Sequence, residues 1–253
     1  MGTDFNIEDI LKYASLPEVL GLKNVDNKKD YLLSYVQTYL KEEIQEEAAV
    51  QKLSSYHRFL KHAALMNAQI LNLSNISREA AVKRSTLDGY FKIVDETLLG
   101  SFVEPIHLRA KLKEVSHPKF YFFDCGVVRA LQNRLDEPIN EQKGYLLETF
   151  VLNEVRAYSE YHRKSWEISY WGTPSKNEVD FIVSEGKANI GIEVKSSTKW
   201  KKEYNKGLQA LLETKKIKRA IALYLGKDKL KIGEIEVYPV ESFCKELHLG
   251  KCF

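Results

Sequence analysis

Between Asn177 and Ser197 the chain reads NEVDFIVSEGKANIGIEVKSS. Two alternating apolar runs flank the short polar segment Glu185–Asn189, the pattern of a β-hairpin. A hairpin restricts the fold tightly, because strand side chains alternate faces and a one-residue slip turns every one of them to the wrong side. Alternation puts Glu193 and Lys195 on one face and Ile192 and Val194 on the other. A turn centred near Gly186–Lys187 sets Asp180 opposite Glu193. Directly opposed residues lie about 5 Å apart, close enough for two carboxylates to bind one cation.

The 253 residues suffice for one large domain or two modest ones, each with its own core. The apolar share of 44% and charged share of 29% exclude a disordered chain, and no apolar run approaches the ~18 residues of a membrane span. The N-terminus lacks a basic n-region and an apolar h-region, so no secretory signal is expected. Cys125, Cys244 and Cys252 are odd in number and widely spaced, which suggests neither a disulfide framework nor a zinc site. A cytoplasmic location and no membrane partner are the expectations. A formal charge of +3 does not imply nucleic-acid binding by itself, so its distribution matters more.

Residues 5–68 read as helical, with Leu32, Tyr35, Val36, Tyr39 and Leu40 at helical spacing. The acidic cluster Glu42, Glu43, Glu46 and Glu47 reads as a solvated face. A helix over 55–67 turns Phe59, Leu60, Ala63 and Ala64 inward. Ser74 is a candidate N-cap for a short helix to about Val82, and Lys83–Ser85 a turn. A second helix, Thr86–Leu99, presents Leu87, Tyr90, Phe91, Val94 and Leu98, with Gly100 as its terminator. Strands at 101–105 and 120–123 then complete a winged-helix-like pattern, whose second helix usually enters the major groove. From Lys83 to Glu96, however, Lys83, Arg84 and Lys92 are balanced by Asp88, Asp95 and Glu96, so packing or protein interaction is the better reading of that module. Leu135–Asn140 looks like a linker.

Beyond it the predicted order is α-β-β-β-α-β: a helix from Gly144 to about Tyr161, a strand at 166–171, the hairpin, a basic helix near 201–214 and a buried strand at 219–225. A further strand at 234–240 and a short helix follow. Hydrolysis of a phosphodiester needs a cation on the phosphate, an activated water and a fixed positive charge. Asp180 and Glu193 are hard oxygen ligands of the kind Mg²⁺ prefers, and Lys195 shares the face of Glu193. Glu148 sits between Leu147 and Phe150 on the inner side of the preceding helix, an odd place for a carboxylate without a partner.

Asp180, then Glu193-Val194-Lys195, after a helix bearing Glu148, resembles the PD-(D/E)XK, restriction-endonuclease-like nucleases, although Val179 stands where the naming proline would be. The resemblance implies Asp180, Glu193 and Glu148 as Mg²⁺ (or Mn²⁺) ligands and Lys195 as helper of the attacking water. Gln209 on the following helix is a weaker addition. The segments Leu16–Glu18, Tyr31–Ile44, Pro118–Gly126, Gly144–Glu148 and Glu178–Lys195 together resemble a domain of unknown function at the C-terminal end of a bacterial and archaeal AAA-type P-loop ATPase family. No GxxxxGK[ST] occurs, so no ATP site is expected, and the chain would be a fragment, a split product or a stand-alone form. A P-loop ATPase is the implied partner.

The resulting expectation is an α+β or α/β chain in three parts. Residues 1–50 form a helical segment, 51–135 a winged-helix-like domain and 140–253 a nuclease-like αβββαβ core. From Lys195 to Lys231, twelve Lys/Arg stand against three acids, a net of +9, the electrostatic footprint of phosphate-backbone binding. Lys199, Lys201, Lys202 and Lys206 are the candidate nucleic-acid contacts, DNA more than RNA, and Trp200 a candidate base-stacker. The alternative is a catalytically inactive DNA-binding or protein-interaction module.

Overall fold

The computed structural model describes residues 5–39, 53–108, 114–175, 177–186 and 188–252. Leu40, the acidic cluster Glu42–Glu47 and Lys187 of the expected turn lie outside them. The architecture is mixed α/β, with ten α-helices and nine strands among the described residues. It divides into two compact units, the first Asn6–Phe102 with Lys119–Phe150, the second Val103–Pro118 and Val151–Phe253 with Phe5.

The first unit opens with α1 (Ile7–Tyr13), where the Asn6 side chain accepts the free N–H groups of Glu8 and Asp9, the usual work of an N-cap. Next come α2 (Pro17–Gly21), α3 (Val25–Ser34), which runs into a π-helical turn at Tyr35–Tyr39, and α4 (Leu53–Leu65). Phe59, Leu60, Ala63 and Ala64 of α4 are buried, as their spacing requires. Strand β1 (Gln69–Ile70) leads to α5 (Leu73–Ala80) and α6 (Arg84–Glu96), followed by β2 (Gly100–Pro105) and β3 (Lys119–Phe122). β3 pairs antiparallel with β1 and neighbours β2. Then α7 (Cys125–Leu131) precedes the long α8 (Lys143–Tyr161), which passes from the first unit into the second.

Several local expectations are corrected. Asn72, not Ser74, caps α5, accepting the Asn75 N–H at 3.0 Å. The reversal between α5 and α6 falls on Ala81 in the left-handed region (φ 52°), and Arg84 and Ser85 are already helical. An alanine carries no signal for that conformation, which glycine usually supplies. α6 ends through Leu98, also left-handed (φ 58°), which leaves that side chain 80% exposed and buries Leu99 instead. Gly100 is therefore not the helix terminator. It starts β2, where a Cβ would lie 2.5 Å from the Phe120 ring and 2.9 Å from the Tyr121 carbonyl oxygen. The expected linker 135–140 is packed, with Leu135 and Ile139 buried and Glu137 O accepting from the fully buried Arg129.

Asp124 organises the start of α7. Its carboxylate accepts the Val127 N–H at 2.9 Å and the Ser15 N–H at 2.8 Å, so one side chain caps α7 and pins the segment after α1. Burial pushes its pKa up, and these hydrogen bonds oppose the shift. Asp124→Ala removes the cap and strands the Ser15 N–H, so a loss of about 3 kcal/mol is expected from urea unfolding. Asp124→Asn, which keeps an acceptor, should lose less than half of that.

The second unit is a mixed sheet. Its strands are β4 (Glu167–Gly172), β5 (Glu178–Glu185), β6 (Ala188–Lys195), β7 (Arg219–Tyr224), β8 (Leu230–Ile232) and β9 (Ile235–Pro239). A 3₁₀ turn (Lys202–Asn205) leads into α9 (Lys206–Glu213), and α10 (Val240–His248) follows β9. The strand order is β2-β4-β5-β6-β7-β9-β8, with β2 joined through Glu104 and Pro105. The pairs β2–β4, β6–β7 and β7–β9 are parallel and the others antiparallel. The order α8, β4, β5, β6, α9, β7 matches the expected α-β-β-β-α-β succession. Leu208 and Leu211 of α9 bury against Trp171, Val179, Ile182, Ile217, Ala220 and Ala222. At Gly207 a Cβ would stand 2.0 Å from the Glu178 carbonyl oxygen, so only glycine lets α9 approach β5 this closely.

On the β7–β9 pair, Arg219 makes two hydrogen bonds to Glu236 at 2.7 and 2.8 Å, and the Tyr238 hydroxyl adds a third at 2.7 Å. Arg219 holds the Glu236 carboxyl down at about 2. A depressed folded-state pKa contributes stability above the unfolded value of 4.5, and that contribution is lost as pH falls through the folded value. Glu236→Gln should therefore be less stable than wild type at pH 7. In thermal melts the gap should shrink steadily between about pH 4.5 and pH 2.

Candidate functional site

The β5–β6 hairpin forms with the expected two-residue turn, Glu185 pairing with Ala188, and Gly186 supplies a left-handed φ of 61°. The ladder runs to Phe181 opposite Ile192. Carried one residue on, that register sets Asp180 across from Glu193.

A β-bulge acts at this point. Against β4, Ser169 pairs with Ile182 but Trp171 pairs with Val179. Two steps along β4 thus correspond to three along β5, and the extra residue falls at Asp180–Phe181. The bulge brings Val179 and Ile182 into one core and re-aims Asp180 between them, a use bulges often serve beside sites. Asp180, 3% exposed, points its Oδ2 at the Val194 N–H, 2.8 Å away.

Glu193 is 5% exposed. Its Oε1 is ion-paired with the Lys195 ammonium, while its Oε2 is buried with no hydrogen-bond partner. Burial first, and then the negative charge of Asp180, push the Glu193 carboxyl well above the usual carboxylate range, and Lys195 works against them. Glu178, two residues before Asp180 on β5, adds to the same repulsion. Lys195 is half-buried and also lies over the Tyr204 ring, 6.0 Å from its centroid.

This donor set suits a hard divalent cation. A buried carboxyl oxygen with no hydrogen-bond partner among the described residues, close to a second carboxyl group, is a place where a cation would replace the lost hydration. Among the described residues no three His, Cys, Asp or Glu side chains gather closely enough to hold an ion alone. A cation here would complete its shell with water or phosphate oxygens, as Mg²⁺ usually does.

The other expected residues lie as follows. Glu148 belongs to the first unit, where the buried Lys119 ammonium stands 3.5 Å away and the Tyr121 hydroxyl donates to it at 3.1 Å. The partner its inward position demanded thus comes from β3. Gln209 is exposed on α9 and donates to Glu213 at 3.0 Å. Lys199, Lys201, Lys202 and Lys206 are exposed, and Lys201 stands 3.7 Å from Glu203. Trp200 is half-buried against the core and donates its indole N–H to Asn205 Oδ1 at 2.8 Å. On α6, Arg84 and Lys92 stand beside Asp88 and Glu96 at helical spacing. Burial raises the thiols of Cys125, Cys244 and Cys252, the last to about 11, which makes them poor nucleophiles. Sequence reasoning missed Glu178, whose signal was its two-residue spacing from Asp180, and Tyr204, an aromatic set among lysines.

The geometry separates two kinds of substitution. Asp180→Ala strands the buried Val194 N–H, for an expected loss of about 2 kcal/mol. Asp180→Asn keeps an acceptor and should stay within about 0.5 kcal/mol of wild type. Urea unfolding of the pair checks this, and Asp180→Asn is then the better probe of chemistry.

Two family profiles match the chain. The profile of a domain of unknown function (DUF8612) covers residues 5–138, more than half of the chain, and that of a second domain of unknown function (DUF4143) covers residues 143–243, including Asp180, Glu193 and Lys195. A comparison with curated proteins returns no match.

Proposed function

Since the chain belongs to the family of the domain of unknown function DUF8612, with a DUF4143 region following it, we propose that its second unit is a metal-dependent nuclease of the PD-(D/E)XK kind. The observation that carries the reading is Glu193, a buried carboxylate with one oxygen on Lys195 and the other unpartnered, next to Asp180 on a bulged strand. A structural role alone gives little reason to bury such a group, because a carboxyl group with an unsatisfied oxygen opposes folding whether it is neutral or ionised.

In this reading Asp180 and Glu193 hold Mg²⁺ or Mn²⁺, which when bound supplies charge neutralisation at the phosphate and activation of a water. The Val194 N–H holds Asp180 Oδ2, which fixes the orientation of the carboxylate that would face the ion. Lys195, now on Glu193 Oε1, would leave it to hold the scissile phosphate or orient the water. The exposed lysines 199, 201, 202 and 206 draw in the sugar–phosphate chain, DNA more than RNA. A P-loop ATPase acting with this unit belongs to the same proposal. No helix among the described residues is long and apolar enough to cross a membrane.

One observation favours a second reading. The Lys195 ammonium serves as an internal counter-ion to Glu193, which suits a catalytically inactive nucleic-acid-binding or protein-interaction module. The two readings separate in an assay of labelled single- and double-stranded DNA and RNA with EDTA, Mg²⁺ or Mn²⁺. The nuclease reading expects metal-dependent cleavage that falls at least about a hundredfold in Asp180→Asn and Lys195→Ala. Salt-sensitive binding without cleavage of any substrate would favour the binding module and overturn catalysis.

A further inference from the structure

Tyr204 stands in the 3₁₀ turn Lys202–Asn205, among the lysines that follow the hairpin. Its ring has two ammonium neighbours, Lys195 at 6.0 Å and Lys201 at 5.8 Å from the centroid. Both distances lie within reach of a cation–π attraction. The ring also meets Trp200 edge to face at 5.3 Å. Among the described residues nothing hydrogen-bonds the Tyr204 hydroxyl. Its ring is engaged while its donor is free, a combination suited to an anion that arrives between the two lysines.

Trp200 is engaged in another way. Its indole N–H is used by Asn205, itself buried, and its ring packs against Tyr204, Tyr224 and the core. Stacking on a base needs an open aromatic face, and the Trp200 ring is taken up by Tyr204, Tyr224 and the core. A phosphate asks only for cations and a hydroxyl donor.

On the reading of this unit as one that acts on nucleic acid, we propose that Tyr204 binds a backbone phosphate through its hydroxyl, with Lys195 and Lys201 on either flank in sequence. The 199–206 turn then reads the sugar–phosphate chain and not the bases. Trp200 becomes the support that holds Tyr204 in place. The ligand class is a phosphodiester, and binding at this turn is independent of base identity.

Fluorescence anisotropy tests this with the full chain in EDTA, using fluorescein-labelled oligo-dA, oligo-dT and mixed-sequence DNA. Tyr204→Phe should weaken binding about tenfold, the worth of one hydrogen bond to a charged group, by the same factor on every oligonucleotide. The melting temperature should be unchanged, because the hydroxyl has no partner in the protein. The slope of log K against log[salt] should stay that of wild type in Tyr204→Phe and drop by about one in Lys201→Ala. Wild-type affinity in Tyr204→Phe, or a loss confined to one base composition, overturns the assignment while leaving nucleic-acid binding in place. Failure of the wild-type chain to bind any oligonucleotide removes both.

Discussion

Glu193 sits where burial and two charged neighbours pull its ionisation in opposite directions. Burial and the charge of Asp180 favour the neutral acid, while the Lys195 ammonium favours the carboxylate. A charge taken out of water is kept only if partners replace the lost hydration, and here one of the two oxygens has none. The surrounding structure must therefore hold the hairpin firmly enough to keep the group inside. It does so with β4 on one side, the parallel strand β7 on the other and α9 across one face.

Two backbone features set the aim of the site. The bulge at Asp180–Phe181 inserts one residue against β4, which lets the apolar side chains on both sides of it reach a common core while Asp180 turns toward β6. Gly207 lets α9 begin in contact with the Glu178 carbonyl, so the basic turn before that helix is brought close to the strand bearing Asp180. Tyr204 is the side chain that joins the two regions, since it touches Lys195 of the hairpin and Lys201 of the turn. The chemical contrast is sharp: buried carboxyl groups inside, exposed lysines outside.

Much of this was legible in one dimension. The alternation in residues 178–195 specified the hairpin and its register, and the turn residues fixed where it folds back. The α-β-β-β-α-β succession followed from periodicity, and the inward faces of α4 and most of α6 followed from helical spacing. The failures share a cause. Ala81 and Leu98 adopt left-handed backbone that their residue types do not announce. Leu135 and Ile139, which looked like part of a linker, are buried, and the buried Arg129 donates to Glu137 O between them. Tertiary packing decided these positions, and local propensity had no say in them.

The sequence by itself determined the α-β-β-β-α-β order of the second half, the hairpin of residues 178–195 and the basic character of the segment after Lys195, because each depends on periods of two or 3.6 residues or on counting charges. Only the tertiary structure decided that Glu148 pairs with Lys119 and Tyr121 in the first unit, that Trp200 packs against Tyr204, Tyr224 and the core, and that Glu193 keeps one oxygen unsatisfied. Those facts depend on which side chains meet across distant stretches of chain, and on how deeply each is buried. Neither is written in the spacing of residues along a strand.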